Sequence, residues 1–267
     1  MAIDPGQALR GAASASPPPR AHGPARVLGS LLVVGAGGTL GSAVLAEALV
    51  AGRFQRVAAL VDAPLSSAVR GLQPLTLAQL QPAPPAGRTG ASDALEAAVI
   101  VFERERHANG RDEAFVQPTP KQLGSLAKVL REAGVRQLMV LVPHTAALLP
   151  QALAHGFADH DEREVAALGF EHLVFVRTAQ TADPQQANGL LPRFAAWWLS
   201  QLRWMVPQRE QPVRAARLAR LAVQLMRQLP QAPPGTRVLA PAVLWQASQH
   251  EDPDQVLQPW LHGTPPR

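Results

Sequence analysis

The chain contains no cysteine, which excludes disulfides, thiolate zinc sites, iron–sulfur clusters and cysteine nucleophiles. It also contains no tyrosine, so no phenolic hydroxyl is available anywhere as a general acid or base. Lysine is confined to Lys121 and Lys128, and the other basic side chains are arginine. No apolar run reaches the roughly 18 residues that a membrane-spanning helix needs, so no membrane span is expected. Excess charge is scarce as well. The 25 Lys and Arg against 20 Asp and Glu leave a formal net charge of +5. The sequence pI near 11.0 overstates this, because without Cys and Tyr little titrates between histidine and arginine. A charge this modest predicts no nucleic-acid partner. The preference for Arg, Ala and Pro over Lys, Ile and Tyr matches a GC-rich coding bias, which carries no function.

What remains is 267 residues, 47 % hydrophobic, 17 % charged, with 20 Gly and 26 Pro. That is enough apolar material for a sizeable core, in one large domain or two small ones. Residues 1–26 read as a disordered tail: Gly11–Pro24 is Ala, Ser, Pro, Gly and Arg without periodicity, including Pro17, Pro18 and Pro19, and it cannot bury a face. It lacks the apolar stretch of a secretory leader. Its arginines and shortage of acids also suit an organelle transit peptide; a plain tail on a cytoplasmic protein is the expectation taken. Residues 251–267 read as a second, shorter tail.

Between the tails, at 27–250, strand and helix patterns alternate. Leu31–Val34, Val57–Val61, Leu75–Leu77, Ala97–Phe102, Gln137–Val142, Leu173–Val176 and Thr236–Leu239 read as strands. Helical patterns fall at about 39–51, 123–133, 157–168, 192–205 and 213–228, and 82–90 reads as a loop. Such alternation predicts an α/β fold, a Rossmann-type doubly wound parallel sheet covered on both faces. The late helices, at about 180–230, are expected to form a small C-terminal helical cap.

The motif that carries chemistry is Gly35-Ala36-Gly37-Gly38-Thr39-Leu40-Gly41. It lies between the first strand and the first helix, the setting a dinucleotide fingerprint requires. Gly35 would allow the tight turn, Gly38 the approach of a pyrophosphate, and Gly41 the packing of helix on strand. The helix N-terminus offers free N–H groups to an anion. The spacing is Gly-x-x-Gly-x-x-Gly at 35, 38 and 41 and not Gly-x-Gly-x-x-Gly, since position 40 is Leu. Asp62 follows Gly41 by 21 positions, at the end of the second strand. A carboxylate there accepts hydrogen bonds from an adenosine ribose and repels a 2′-phosphate, which favours NAD over NADP; otherwise it caps a turn. Phe102, closing the fourth strand, joins the candidate cofactor-binding residues.

Gly35–Gly41 and the segment Gly52–Val61 resemble the start of the atypical short-chain dehydrogenase/reductases (SDRs). The resemblance is to the small NAD(P)H-binding branch that includes the Tat-interacting oxidoreductase-like protein. Leu168–Arg177 resembles the segment leading into that group's Arg-Pro, with Thr178 replacing the Pro, and Val213–Ala219 resembles its late helix. The resemblance spans about residues 29–248. It implies the fold, the cofactor and a catalytic Tyr and Lys four residues apart, with a Ser after the fifth strand. This chain departs from that set. It has no Tyr, neither Lys lies near the expected helix, where Phe157 stands among His155, Gly156, Ala158, Asp159, His160 and Asp161, and the Ser position reads Pro143-His144-Thr145.

Two functions follow. One is an NAD(P)-binding oxidoreductase-family protein of absent or undetermined redox activity, a sensor or scaffold. The other is an oxidoreductase using His144 or His155 as acid/base, with Thr145 orienting a carbonyl of some small molecule. A His–carboxylate pair at helical spacing, such as His155 and Asp159, also suits a plain solvated face. A metal site is not expected: His155 and Asp159 share a helix face, but His160 points elsewhere. Trp197 and Trp204, seven apart, share a face that suits core packing, a lid, a membrane-surface contact or a dimer patch. From Arg193 to Arg237 there are eight Arg against Glu210 alone. Helices 192–228 therefore offer a surface for a protein partner, or simply a solvated basic face.

Overall fold

The computed structural model describes residues 28–62, 70–80, 95–103, 112–144, 160–179 and 213–263. The seven strands are β1 (Leu28–Val34), β2 (Phe54–Leu60), β3 (Leu72–Leu75), β4 (Leu95–Val101), β5 (Gln137–His144), β6 (His172–Ala179) and β7 (Gly235–Leu239). They form one sheet in the order β3-β2-β1-β4-β5-β6-β7, and every pairing is parallel. The helices are α1 (Thr39–Ala51), α2 (Leu77–Leu80), α3 (Leu123–Glu132), α4 (His160–Ala167), α5 (Ala215–Gln228), α6 (Pro241–Gln249) and α7 (Asp254–Leu261).

The central strand shows why the sheet is covered twice. Leu31, Leu32, Val33 and Val34 are all fully buried, and successive side chains of a strand point to opposite faces. Leu31 and Val33 pack with residues of α1, α5, α6 and α7, while Leu32 and Val34 pack with α2, α3 and α4. A continuous apolar run, rather than an alternating one, is what a strand buried on both faces requires. From β1 the chain winds outward to β3, then returns to β4 on the other side of β1. This makes a doubly wound Rossmann-type fold, with its switch point between β1 and β4. In such sheets ligands bind outside the carboxyl ends of the strands at that crevice.

Two sequence expectations change. The third strand forms at Leu72–Leu75, earlier than expected, and Leu77 opens α2. Thr76 ends the strand because Gln79 reaches back to its N–H at 2.8 Å, one half of a capping box. Pro74 is tolerated because, among the described residues, β3 is an edge strand with only β2 beside it. The tail expected after residue 250 instead holds α7, with Val256, Leu257 and Leu261 buried. The Gln224 and Gln228 side chains of α5 both donate to Asp254, and the Arg237 Nε donates to the Leu261 carbonyl at 3.2 Å. The proline-rich, acidic composition masked this apolar helix face.

The described part of the expected cap, residues 213–230, forms the crossover from β6 to β7. Its helix α5 lies along α1 on one face of the sheet, burying Leu218, Leu221, Ala222, Leu225 and Met226. Residues 180–212, with the expected helix at 192–205 and Trp197, Trp198 and Trp204, lie outside the described residues, as do the tail at 1–26 and the loop at 82–90. No helix among the described residues is long and apolar enough to cross a membrane.

Candidate functional site at the glycine loop

Strand β1 ends at Val34, and Gly35 takes a positive φ of 88°. A Cβ at Gly35 would crowd the Val101 carbonyl at the end of β4, 3.3 Å from its carbon, and Pro118 Cδ at 3.2 Å. The glycine thus lets the loop turn tightly against the neighbouring strand. A Cβ at Gly41 would lie 2.7 Å from the Gly35 carbonyl carbon, so the first turn of α1 rests directly on the loop backbone. At positions 35 and 41 the close packing of strand, loop and helix leaves no room for a Cβ.

Position 38 is different. Glu103, two residues past the end of β4, places its carboxylate at the N-terminus of α1. The Leu40 N–H donates to both carboxylate oxygens, at 3.0 Å and 2.9 Å, and the Gly41 N–H makes a longer contact of 3.4 Å to Oε2. A Cβ at Gly38 would lie 2.7 Å from Glu103 Cδ. Gly38 is the N-cap residue of α1 and has no side chain to cap with. Glu103 supplies the missing cap from 63 residues away, and its charge is favourable at the positive end of the helix. The Glu103 carbonyl accepts a hydrogen bond from Gln117 Nε2 at 3.3 Å, which holds its backbone in place.

This carboxylate takes the N–H groups at the start of α1 to which the sequence reading assigns a pyrophosphate. The loop therefore fits the group: it already holds an anion, on backbone donors, at the switch point. The fit requires the Glu103 side chain to turn away.

The other candidate residues are distributed as follows. Asp62 is exposed, just beyond Val61, which bridges to Phe115, and its N–H donates to the Ala114 carbonyl at 2.9 Å. It shares the carboxyl-end edge of the sheet with the loop. Phe102 buries its side chain in the core with Leu32 and Val34, at 3 % exposure, and its N–H donates to the Leu141 carbonyl at 3.0 Å. Ala36 is buried in the opposite core layer, and Thr39 is exposed. His144 ends β5 opposite Ala179 of β6, at the same edge. Thr145, His155, Phe157 and Asp159 lie outside the described residues. Among the described residues no group of three or more acids and histidines is placed to hold a metal.

Sequence reasoning passed over two further groups. Glu103 was hidden because an acid after a strand is commonplace, although its position one residue past Phe102 at the switch point was visible. The second group is a buried ion pair, Arg177 Nη2 to Glu162 Oε2 at 3.1 Å, with side-chain exposures of 2 % and 4 %. It ties α4 to β6 two residues before the strand's carboxyl end. The arginine excess is partly used internally: Arg217 donates to the Ser248 carbonyl at 3.1 Å, Arg220 lies 3.9 Å from Glu47, and Arg237 holds α7.

At the opposite edge of the sheet His172 opens β6, its side chain 1 % exposed. Burial lowers its pKa below the ordinary value, against a smaller opposing pull from Glu171.

No family model and no curated protein matches the chain. Among solved structures it is similar to a UDP-glucose 4-epimerase from Brucella ovis in complex with NAD. That similarity has 17 % identity and a TM-score of 0.44, over 86 % of this chain and 81 % of that one. It is also similar to a Rossmann-fold NAD(P)-binding family protein from Shigella flexneri, at 11 % identity and a TM-score of 0.34, over 66 % and 86 % of the two chains. A third is the reductase domain of the aureusimine biosynthetic cluster, at 13 % identity and a TM-score of 0.41, over 85 % and 73 %. On the chain's own strand order, and on the glycine loop at its switch point, this is a Rossmann-type α/β domain.

Proposed function

We propose that the domain binds a nicotinamide dinucleotide, NAD in preference to NADP, and serves as a sensor or scaffold rather than as an ordinary SDR oxidoreductase. The observation that carries the reading is the anion already held by the Leu40 and Gly41 N–H groups at the start of α1. The pyrophosphate would take that place, with Gly35 and Gly41 keeping strand, loop and helix close. Asp62 would accept the adenosine ribose hydroxyls. The resemblance of residues 29–248 to the atypical SDRs supports the same reading. When bound, the cofactor would supply a hydride carrier. The chain would supply its seat, and with no tyrosine in the sequence the usual phenol–lysine proton transfer is assigned to no residue.

The test is titration of the purified protein with NADH and NADPH, by calorimetry or by Trp-to-nicotinamide energy transfer. Two like charges about 4 Å apart repel by about 1 kcal/mol in water and by about 4 kcal/mol at a partly screened surface site. NADH should therefore bind at least several-fold more tightly than NADPH, and Asp62→Ala should narrow the gap. Equal affinities in the parent protein would remove Asp62 from the ribose site. Absence of any binding would refute the dinucleotide reading.

A further inference from the structure

We infer that Glu103 sets the cofactor affinity of this domain by occupying the phosphate seat itself. The inference rests on the dinucleotide reading and adds an internal competitor to it. Three observations meet on one side chain. Both Glu103 carboxylate oxygens accept from the Leu40 N–H, and Oε2 also faces the Gly41 N–H at 3.4 Å. The carboxylate lies in the space a side chain at position 38 would need. The residue is only partly buried, and its backbone carbonyl is tied by Gln117, so the carboxylate can leave by side-chain rotation while the strand end stays in place.

A phosphate and a carboxylate cannot share these donors. Both are anions, and the free N–H groups of a helix's first turn are few. A dinucleotide arriving at the loop must first displace Glu103, and then binds beside a negative charge that has lost its partners. The helix, in turn, is capped whether or not ligand is present. Glu103 is thus an affinity-setting residue, favourable to the fold as the cap of α1 and opposed to the ligand.

The experiment compares parent protein, Glu103→Gln and Glu103→Ala, measuring NADH affinity by calorimetry and ligand-free melting temperature by circular dichroism. The Gln side chain keeps the shape and one acceptor oxygen but loses the charge; Ala empties the seat. NADH should bind about tenfold more tightly to Glu103→Ala than to the parent, with Glu103→Gln between them. The ligand-free melting temperature should move the opposite way, falling as α1 loses its cap. A purely structural cap would lower both quantities together, and that result overturns the inference. So does unchanged affinity in both variants when the parent binds NADH, a result that leaves the dinucleotide reading standing. If no protein of the three binds NADH, the inference and the reading fail together. Should Glu103→Ala not fold, Glu103→Gln decides by the same opposition of signs.

Discussion

Replacing Gly41 by alanine separates the packing of the loop from helix propensity, because the two predict opposite signs. Gly41 is the third residue of α1. In a helix, Gly→Ala is ordinarily favourable by about 0.8–1 kcal/mol. Here the new methyl would meet backbone: it would lie 2.7 Å from the Gly35 carbonyl carbon and 3.0 Å from Ala36 Cα. Carbon atoms prefer about 3.5–4.0 Å, so the loop and helix must part by roughly 1 Å. Gly35 is hemmed in by the Val101 carbonyl and Pro118 on the side its own Cβ would take. Helix α1 must move instead, and it carries Leu40, Val44, Leu45 and Ala48 into the core.

Overpacking of this kind costs about 1–3 kcal/mol and sometimes more, and a backbone-to-backbone clash belongs at the upper end. After the propensity gain, the net loss should be roughly 2 kcal/mol. For a domain of this size that is a fall in melting temperature of about 4–8 °C. Gly38→Ala is the control. Its methyl meets chiefly the Glu103 carboxylate, which can swing aside for about 1 kcal/mol of lost capping, and the Glu103 Cβ at 3.3 Å, which needs only a small shift. Thermal and urea unfolding of the three proteins would check this. A Gly41→Ala protein as stable as the parent, or more stable, would refute the close packing of α1 on the loop.

Removing the Glu162 carboxylate should leave the buried Arg177 guanidinium without its ion-pair partner on α4, a change that typically costs about 3–5 kcal/mol. Glu162→Ala should therefore melt roughly 6–20 °C lower in scanning calorimetry, and a loss below about 1 kcal/mol would show that the pair does not hold α4 to β6. His172 is buried with a lowered pKa, chiefly through desolvation, so the unfolded chain takes up the proton first as pH falls. Its contribution to stability is complete above the unfolded pKa of 6.5 and is lost as pH drops below that value toward the folded one. His172→Leu should flatten the change in melting temperature between pH 7.5 and pH 5.5; an unaltered slope would assign the acid sensitivity to other groups.

Much of the architecture was legible because parallel strands buried on both faces leave continuous apolar runs. Leu31–Val34 and Leu138–Val142 announce themselves in this way, and Gly52 and Gly134 mark the ends of their helices. The glycine loop was legible for the same local reason. What escaped the sequence was long-range. Glu103 caps α1 from a neighbouring strand, and no spacing rule links residue 103 to residue 40. Arg177 and Glu162 look like surface charges until β6 and α4 are brought together. Helix α7 was concealed by Pro253, Pro259 and its flanking acids, since its apolar face is confined to Val256, Leu257, Trp260 and Leu261. The third strand lies at Leu72–Leu75 rather than Leu75–Leu77 because its short run, half-buried throughout, carries little apolar signal, and its edge position makes Pro74 acceptable.

The seating of α6 and α7 against the same core layer as α1 has an optical consequence. All five tryptophans of the chain fall between residues 197 and 260, and tyrosine is absent. Trp245 is carried on α6 and Trp260 on α7, both partly buried. Intrinsic fluorescence therefore reports from side chains of the C-terminal third and the core layer Trp260 packs against, whereas circular dichroism weighs every helix. If the two signals melt together, α6 and α7 belong to the cooperative unit that includes the glycine loop. If the fluorescence changes first, the C-terminal helices peel away as a separate unit while the nucleotide-seating half of the sheet is still folded.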